Sequence, residues 1–338
     1  MTLVLSKADV VEAADMGSII GELESAMSVE ARGGVETIPR VNFKAGENGF
    51  FRVMPAVVTG LDVMGLKAFN MTDSGEVRYL VCLWSVEGGE LLALLDASEL
   101  TAIRTGAVTG VAHRAISGGH FDREIGVIGS GLEARTNLEA ICAVAEVESV
   151  KVFSPRAERR TGFAERMTAQ LGIPVVPVRR PEESAGCPTV LVATNTGIGS
   201  GVLALEAGWL DGAGHVNAIG STMPSLREVE AEVFGQSAFV VLDTLDAVEE
   251  SGDLIDATAK GHLEPEKLRD LSGFFDEAGS APNDGDQRTI FKSVGTALQD
   301  VISAKAIYDV ARRRGLGREV DVLGERQVEA ALLPGDRN

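Results

Sequence analysis

The segment GSGLEA, residues 129–134, connects an apolar strand candidate to a predicted helix. A strand, a glycine-rich turn and a helix in that order form a dinucleotide-binding unit. Gly129 permits the tight turn, Gly131 lets backbone amides approach a pyrophosphate, and the small Ala134 lets the helix pack on its strand. The pyrophosphate then lies at the positive end of the helix, which begins at Leu132. We interpret the segment as a dinucleotide site, with a purely structural strand, turn and helix as the alternative.

Apolar strand candidates flank this segment and alternate with helical or loop-like stretches. They cover residues 125–128, 150–153, 174–178, 189–193, 216–219 and 238–242, and the helix after the glycines covers 132–145. Such alternation is typical of βαβ units that build a parallel sheet. The runs at 190–193 and 239–242 contain no polar residue, as expected of strands buried on both faces. We therefore predict an α/β fold with a Rossmann-type, doubly wound parallel sheet domain over residues 119–292.

The two ends of the chain show a different pattern. Short strand candidates separated by turn signals cover residues 37–43, 49–55, 65–69, 79–85 and 90–96, and a helix is predicted over 99–116. Residues 293–314 have the spacing of an amphipathic helix that Gly315 ends. Because this last helix can return to the first part of the chain, we predict a discontinuous, mixed α/β substrate and dimerisation domain made of residues 1–118 and 293–338.

The composition argues against several classes of protein. A chain of 338 residues exceeds what one hydrophobic core usually holds, so we expect two domains. Hydrophobic residues make up 45% and charged residues 24%, which is typical of a folded protein rather than a disordered one. The 31 Lys and Arg against 50 Asp and Glu give a net charge of -19, which argues against nucleic acid or an anionic membrane as a partner.

The cysteines and histidines favour a cytoplasmic protein without a metal site. Cys82, Cys142 and Cys187 lie far apart and form no CxxC pair, which is typical of free thiols in a reducing compartment. The four histidines lack metal-ligand spacing, so no metal is expected. The N-terminus lacks the features of a secretory signal, and no apolar run reaches the roughly 20 residues of a membrane span.

The end of the second strand of the predicted Rossmann domain indicates the preferred cofactor. NAD-binding domains carry an acidic residue there, about 20 residues beyond the glycines, that binds the ribose hydroxyls. This chain instead has Ser154 and Arg156, followed by Arg159 and Arg160. A hydroxyl and guanidinium groups suit a 2'-phosphate, so we expect NADP(H) in preference to NAD(H). Alternatively, these arginines cover the exposed face of the next helix.

Seven separate segments together resemble the ornithine cyclodeaminase and mu-crystallin family, which includes alanine dehydrogenases and ketimine reductases. In the family's order along the chain they are MPA (54–56), GLK (65–67), LTAIRTGA (100–107), GSGLEA (129–134), VATNT (192–196), HVNAIGS (215–221) and TIFKSVG (289–295). A collinear set of this extent is more specific than any single motif. The resemblance implies a Rossmann domain inserted into a mixed α/β dimerisation domain, a homodimer, and a nicotinamide cofactor.

The resemblance also implies roles for particular side chains. Lys67 lies inside an apolar strand, where a lysine is an ion-pair member or a site residue, and the family's matching lysine contacts the substrate. Arg40 matches a position that binds the substrate carboxylate, and Arg104 matches one that meets both cofactor and substrate. The other residues that the matching segments assign to the cofactor site are Thr105, Thr194, Asn195, Thr196, Ile219, Gly220, Ser221, Lys292 and Ser293.

Two departures from the cyclodeaminase pattern bear on the reaction. Cyclodeaminases carry an aspartate proton donor after the segment that matches NAIG, whereas Ser221 and Thr222 follow it here. They also tend to have an acidic residue, which binds the substrate's amino group, where this chain has Arg52, and an arginine would repel an ammonium group. Both departures favour an imino acid or a substrate with an extra anionic group, unless Arg52 points to solvent.

The leading hypothesis is an NAD(P)H-dependent imine reductase or amino-acid dehydrogenase that transfers a hydride to the α-carbon of an α-imino or α-keto acid. Arg40 and Lys67 would hold the carboxylate, Arg52 would face the substrate, Arg104 would bridge substrate and cofactor, and Thr222 or a water would relay the proton. One alternative is a cyclodeaminase with tightly held NAD. Another is a dinucleotide-binding protein without turnover, against which Lys67 and Arg104 argue because a pure binder could dispense with both.

Overall fold

The computed structural model describes residues 1–117, 123–196, 202–276 and 287–324. The strands in chain order are β1 (Thr2–Leu5), β2 (Val35–Thr37), β3 (Val41–Lys44), β4 (Phe50–Val58), β5 (Val63–Met71), β6 (Val77–Trp84), β7 (Leu91–Asp96), β8 (Glu124–Ile128), β9 (Ser149–Phe153), β10 (Val175–Pro177), β11 (Thr189–Val192), β12 (His215–Ala218), β13 (Phe239–Leu242), β14 (Leu268–Asp270), β15 (Thr289–Lys292) and β16 (Arg318–Val320). The helices are α1 (Lys7–Ala13), α2 (Met16–Ala31), α3 (Ser98–Ser117), α4 (Leu132–Val144), α5 (Ala157–Leu171), α6 (Pro181–Ala185), α7 (Ala231–Gly235), α8 (Ala247–Glu250), α9 (Gly252–Ala259) and α10 (Ala297–Arg314). Within these ranges, no helix is long and apolar enough to cross a membrane.

The strands form two eight-stranded sheets. The first is mixed, with the order β16-β1-β7-β6-β5-β4-β2 and with β3 paired to β4. The second is parallel, with the order β10-β9-β8-β11-β12-β15-β13-β14. The predicted α/β fold with a Rossmann-type parallel sheet is therefore confirmed.

The two sheets draw on different parts of the chain. The first sheet takes β1 to β7 from the N-terminal part and β16 from the C-terminal part, whereas the second takes β8 to β15. The predicted domain boundary at 118–119 and the last predicted residues, 325–338, lie outside the described residues.

Side chains of the first sheet alternate between two faces. In β7, Leu91, Ala93 and Leu95 are buried, because successive residues of a strand point to opposite sides. The helix α10 packs on β4 and β5, and it also contacts α2 and α3. The buried face of β4 and β5 therefore lies against a helical layer.

Small residues on α3 let this helix pack closely on α4, which follows the glycine segment. A Cβ atom at Gly106 would lie 2.3 Å from the carbonyl oxygen of Thr136, and one at Gly110 would lie 3.2 Å from that of Ala140. A side chain at Gly106 would therefore collide with the backbone of α4. The helix that carries Arg104 is thus held directly against the helix that begins at the glycine turn.

The strand predicted at residues 37–43 is wrong as a single element. The structure has two strands, β2 and β3, which pair with different parts of β4 and are separated by residues 38–40. Pro39 has no backbone N–H group and cannot donate to a ladder, so the strand is interrupted there.

The last helix begins later than the predicted residue 293. Thr296 is its N-cap and accepts a hydrogen bond from the backbone N–H of Gln299 at 3.4 Å. The preceding Gly295 has a φ of 83°, which no continuous helix can contain. The helix ends at Arg314, and Gly315 follows in the left-handed conformation, as the sequence predicts.

Candidate active site

A cleft with a volume of about 410 Å³ lies at the carboxyl ends of the central parallel strands. This edge of an open parallel sheet is where ligands bind in Rossmann-type folds. Many of the residues assigned to the cofactor from the sequence line this cleft, namely Gly129, Gly131, Leu132, Ser154, Arg156, Thr194, Asn195, Thr196, Ile219 and Gly220.

The glycine turn fits a dinucleotide pyrophosphate. Gly129 has a φ of 132°, and a Cβ atom there would lie 2.2 Å from the carbonyl oxygen of Ala193, so a larger residue cannot take its place. Gly131 is the N-cap of α4, and it leaves the first N–H groups of that helix open to the cleft. Ala134 is fully buried beneath the turn. The turn therefore offers the space, the donors and the positive helix end that a pyrophosphate requires.

The end of β9 carries the groups that the sequence assigns to the adenosine side. Ser154 is buried and accepts a hydrogen bond from the Ser130 hydroxyl at 2.9 Å. Arg156 and Arg159 line the cleft, whereas Arg160 donates to the Ser154 carbonyl oxygen at 3.0 Å. Two arginines are therefore open to the cleft, and the third is engaged with the backbone.

A second cavity, with a volume of about 320 Å³, joins this cleft. Both are lined by the same five residues, Glu133, Thr194, Asn195, Ile219 and Gly220. The second cavity is also lined by the side chains assigned to the substrate, which are Arg40, Arg52, Lys67 and Thr222, and by Arg104, Thr105, Ser221 and Ser293. The sequence-predicted residues thus fall into a cofactor cleft and a substrate cavity that meet at one junction.

Lys67 and Arg104 share one buried carboxylate. Lys67 Nζ lies 3.1 Å and Arg104 Nε 3.0 Å from Oδ1 of Asp300, which is fully buried. Arg104 also donates to Gln299 Oε1 at 3.1 Å. Burial lowers the pKa of Lys67 to about 8, although Asp300 opposes that effect. The two cations thus share Asp300 as a counter-ion, and the carboxylate of Glu133, which lines the same cavity, interacts with both of them.

Arg40 and Arg52 add positive charge to the lining of the cavity. Arg52 lies over Phe50 and Phe69, 5.2 Å and 5.3 Å from their ring centres, and it lines the cavity. Its Nε donates to Asn42 Oδ1 at 2.6 Å. Burial, followed by the nearby Arg40, lowers the pKa of Arg52 to about 10. Arg40 pairs with Glu250 at 2.8 Å and donates to backbone carbonyl oxygens of residues 294 and 295.

A buried polar network holds the loop that carries Ser221, which the sequence did not reveal. Glu228 accepts hydrogen bonds from the backbone and hydroxyl of Thr194, at 3.1 Å and 2.8 Å, and from the Gly220 N–H at 2.7 Å. Ser221 has a φ of 58°, which is uncommon for a residue with a side chain. Burial raises the pKa of Glu228 to about 7. The network fixes both loops at the junction of cleft and cavity.

Lys292 belongs to this network rather than to the cleft wall. It is fully buried, its Nζ lies 3.3 Å from Asp253 Oδ2, and it donates to the Gly220 carbonyl oxygen. Asp253 in turn accepts from the backbone N–H groups of residues 228 and 229. Lys292 is absent from the described residues that line the two spaces. Its position therefore suits support of the loop.

The hydroxyl groups of three further predicted residues differ in their surroundings. Thr222 lines the substrate cavity and is half-buried. Ser293 donates to Asp243 Oδ2 at 2.7 Å, and Thr105 donates to the Thr101 carbonyl oxygen at 2.7 Å. Arg104 and Thr105 line the substrate cavity and not the cofactor cleft. Across the described ranges, no group of three His, Cys, Asp or Glu side chains could hold a metal ion.

Similar proteins match this chain over most of its length. A Delta(1)-pyrroline-2-carboxylate reductase from Bacillus cereus is 30% identical over 285 residues, which are 82% of this chain and 86% of that protein. The structure of the Thermococcus litoralis Delta(1)-pyrroline-2-carboxylate reductase in complex with NADH and L-proline has a TM-score of 0.86 at 28% identity, covering 94% of this chain and 100% of that one. An archaeal alanine dehydrogenase dimer with bound NAD has a TM-score of 0.85 at 28% identity, covering 95% and 99%.

A family profile also matches most of the chain. The profile of the ornithine cyclodeaminase/mu-crystallin family covers residues 1–315. That range contains both sheets except β16, and it includes every residue that lines the cleft and the cavity. The resemblance inferred from seven short segments therefore extends over residues 1–315, and the chain belongs to the ornithine cyclodeaminase/mu-crystallin family.

Proposed function

We propose that this protein is an NAD(P)H-dependent reductase of α-imino acids, with amino-acid oxidation as the reverse reaction. The observation that carries the proposal is the junction between a dinucleotide cleft and a cavity lined by four cationic side chains, which are Arg40, Arg52, Lys67 and Arg104. A cavity with this charge suits an acid anion. The relatives that reduce pyrroline-2-carboxylate or act on alanine support the same class of reaction.

The side chains bind and orient the acid for hydride transfer. Lys67 and Arg104 are held in place by Asp300, so their remaining N–H groups can bind the substrate carboxylate. The nicotinamide supplies or accepts the hydride when it is bound. Thr222 borders the same cavity and would position a water that carries the proton to or from nitrogen.

Charge in the cavity argues against the cyclisation of a diamino acid. Such a substrate carries a second ammonium group, which Arg52 would repel from inside the cavity. Thr222 has no carboxyl group at the position where the cyclodeaminases have their aspartate. A neutral hydroxyl cannot perform the same acid and base work near neutral pH.

The apolar part of the cavity suits a compact ring or a short aliphatic chain. Phe50, Phe69, Met54 and Met223 line it beside the cationic groups. An apolar wall next to a carboxylate site matches a small cyclic imino acid better than a long polar one. We therefore place five- and six-membered cyclic imino acids first among the candidate substrates.

We propose NADP(H) as the preferred cofactor. Ser154, Arg156 and Arg159 lie where a 2'-phosphate would emerge from the cleft. Guanidinium groups bind a phosphate well, and they give no comparable advantage to a ribose hydroxyl. The similar structures contain NADH or NAD, so the nicotinamide dinucleotide itself is the better supported part of this assignment.

We propose a homodimer through the exposed face of the first sheet. Phe43, Phe51 and Leu80 are 55%, 41% and 41% exposed. The strands β3 and β4 that carry the two phenylalanines are adjacent, and β5 separates β4 from β6, which carries Leu80. The register places Phe51 opposite Phe43, and Ala68 opposite Leu80, on one face. An apolar face of this kind favours burial against a second copy, and the archaeal relative forms a dimer. Light scattering should give a mass near twice that of one 35.5 kDa chain.

We also propose that the protein works in the cytoplasm. Cys82, Cys142 and Cys187 are free thiols. Burial raises the pKa of Cys142 and of Cys187 to about 12, which makes these thiols unreactive. Unpaired structural thiols are typical of a reducing compartment.

Oxidation of NADPH and NADH by the purified protein tests the function. The substrates should be pyrroline-2-carboxylate, its six-membered homologue, and α-keto acids supplied with ammonia or methylamine. We expect the absorbance of the reduced cofactor to fall with a cyclic imine. Ammonia release from ornithine or lysine without net cofactor consumption would instead establish the cyclodeaminase reaction.

A further inference from the structure

We propose that the carboxylate of Glu133 binds the nitrogen of the substrate and thereby selects imino and amino acids over acids that lack nitrogen. This inference rests on the proposed function. Glu133 lies in the first turn of α4, within the glycine segment, and it lines both the cofactor cleft and the substrate cavity. The sequence motif gave it no role, because the glycines alone explain the turn.

An α-imino acid presents two unlike groups on one carbon. Its carboxylate requires cations, and its nitrogen requires a hydrogen-bond acceptor, preferably a charged one. Lys67 and Arg104 provide the cations. Among the described residues that line the substrate cavity, Glu133 is the one with a carboxylate side chain.

The other nearby carboxylate is not available to a ligand. Asp300 is fully buried behind Lys67 and Arg104, and its Oδ1 accepts from both of them. It does not line the cavity. Asp300 therefore holds the cations in place, and the acceptor for nitrogen must come from another element.

Glu133 has an oxygen free for this purpose. Its Oε2 is buried and has no hydrogen-bond partner within the described residues. Leaving a buried acceptor without a donor is unfavourable, so a ligand N–H group at this position removes that cost. Burial raises the pKa of Glu133, whereas Arg104 and Lys67 act in the opposite direction and favour its charged form.

The position of Glu133 also determines where the reacting α-carbon of the substrate lies. Glu133 comes from the Rossmann side of the cavity, whereas Lys67 comes from β5 in the first sheet. A substrate whose nitrogen is bound by Glu133 and whose carboxylate is bound by Lys67 has its α-carbon between these two side chains. That carbon then lies at the junction where the cofactor cleft opens into the cavity.

The test compares ligands that differ in the nitrogen atom. Binding of L-proline and of cyclopentanecarboxylate, and of L-alanine and of propionate, would be measured by calorimetry on the protein saturated with reduced cofactor. The variants are E133Q, which keeps the size of the side chain, and E133D, which keeps its charge. The control is E139Q on the same helix, because Glu139 pairs with Arg135 and does not line the cavity.

We expect the wild type to bind the nitrogen-containing member of one pair at least about tenfold more tightly. E133Q should reduce that preference to within about threefold through weaker binding of the amino acid alone, and E139Q should leave it unchanged. Unchanged binding of the nitrogen-free acid would show that the E133Q cavity is intact. E133D should retain part of the preference.

A wild-type preference that survives in E133Q would overturn the assignment while leaving the proposed reductase in place. An equal loss of affinity for both acids of a pair in E133Q would also overturn the assignment, because the effect would then not depend on the nitrogen atom. A wild type that binds none of these acids and oxidises no cofactor with any imine would instead refute the proposed function, and the assignment of Glu133 would fall with it.

Discussion

Raising the pH should remove the positive charge of Lys67 and weaken carboxylate binding. Burial lowers the pKa of this lysine to about 8, because the loss of solvation outweighs the attraction of Asp300. An ordinary lysine would keep its charge up to a pH of about 10. A weakly alkaline medium therefore acts on this one cation of the cavity before it acts on the others.

The expected magnitude follows from the pKa of about 8. The charged fraction of such a group falls from about nine-tenths at pH 7 to about one-tenth at pH 9, by the titration of a single site. If the cavity does not bind the carboxylate when Lys67 is neutral, the carboxylate affinity should fall by about tenfold over that interval. Arg52, with a pKa of about 10, keeps most of its charge over the same range.

The assay is inhibition of cofactor oxidation by cyclopentanecarboxylate, whose own carboxyl group stays ionised throughout. The variant K67M should bind the inhibitor weakly and with little dependence on pH. The control K305M removes a lysine that pairs with Asp309 on the outer side of α10 and does not line the cavity. It should retain the wild-type profile.

Two results would refute this account of Lys67. One is a wild-type inhibition constant that stays within about threefold between pH 7 and pH 9, since a titrating cation requires more. The other is the same slope in K67M, which would assign the pH dependence to another group such as Glu228.

Three further predictions follow from the contacts of the site. D300N leaves Lys67 and Arg104 without their shared counter-ion and should lower the free energy of unfolding by about 3 to 5 kcal/mol in urea titrations; a change below about 1 kcal/mol would contradict the importance of that contact. R156A should weaken the binding of NADPH by about tenfold or more and the binding of NADH by less than about threefold in fluorescence titrations, and equal losses of affinity would contradict the assignment of Arg156 to the 2'-phosphate. E228Q should loosen the cofactor loops, raising the KM for the reduced cofactor while the affinity for cyclopentanecarboxylate stays within about threefold, and loss of both affinities would indicate general unfolding of the site.

Local features of the sequence were sufficient to identify the Rossmann unit. The glycine segment obeys a steric rule, since a Cβ at Gly129 would collide with the Ala193 carbonyl oxygen. The strands beside it are almost entirely buried on both faces, and they form the predicted parallel sheet. Lys67 was recognisable for a similar reason, because a lysine in the middle of an apolar strand requires a partner.

Long-range pairing was beyond the reach of such rules. Asp300 lies 233 residues from Lys67 and 196 from Arg104, yet it holds both. The strand β15 enters the parallel sheet between β12 and β13, although no strand was predicted over its residues. The sequence likewise left the helices α1 and α2 unassigned. The ion pairs of Asp300 and the place of β15 in the sheet both depend on contacts between segments that are far apart along the chain.

The supporting network could not be inferred for a related reason. Carboxylate residues such as Glu228 and Asp253 are usually found at the surface. They are buried here because Glu228 accepts a hydrogen bond from the Gly220 N–H and Asp253 accepts one from the backbone N–H of residue 228. Lys292 was placed near the cofactor from its segment alone, whereas the structure puts it behind the Gly220 loop. A signal in hindsight is Lys292, which directly follows the apolar pair Ile290 and Phe291.

Transfer of deuterium from labelled cofactor is the most direct test of the proposed reaction. The protein would be supplied with pyrroline-2-carboxylate and with NADPH carrying deuterium at C4 of the nicotinamide, on each face in separate experiments. The account predicts that one of the two labelled cofactors yields proline with a single deuterium at the α-carbon, together with net cofactor oxidation. Proline without deuterium from either cofactor, or ammonia release without net oxidation, would contradict hydride transfer from the cleft to the α-carbon at the Glu133 junction.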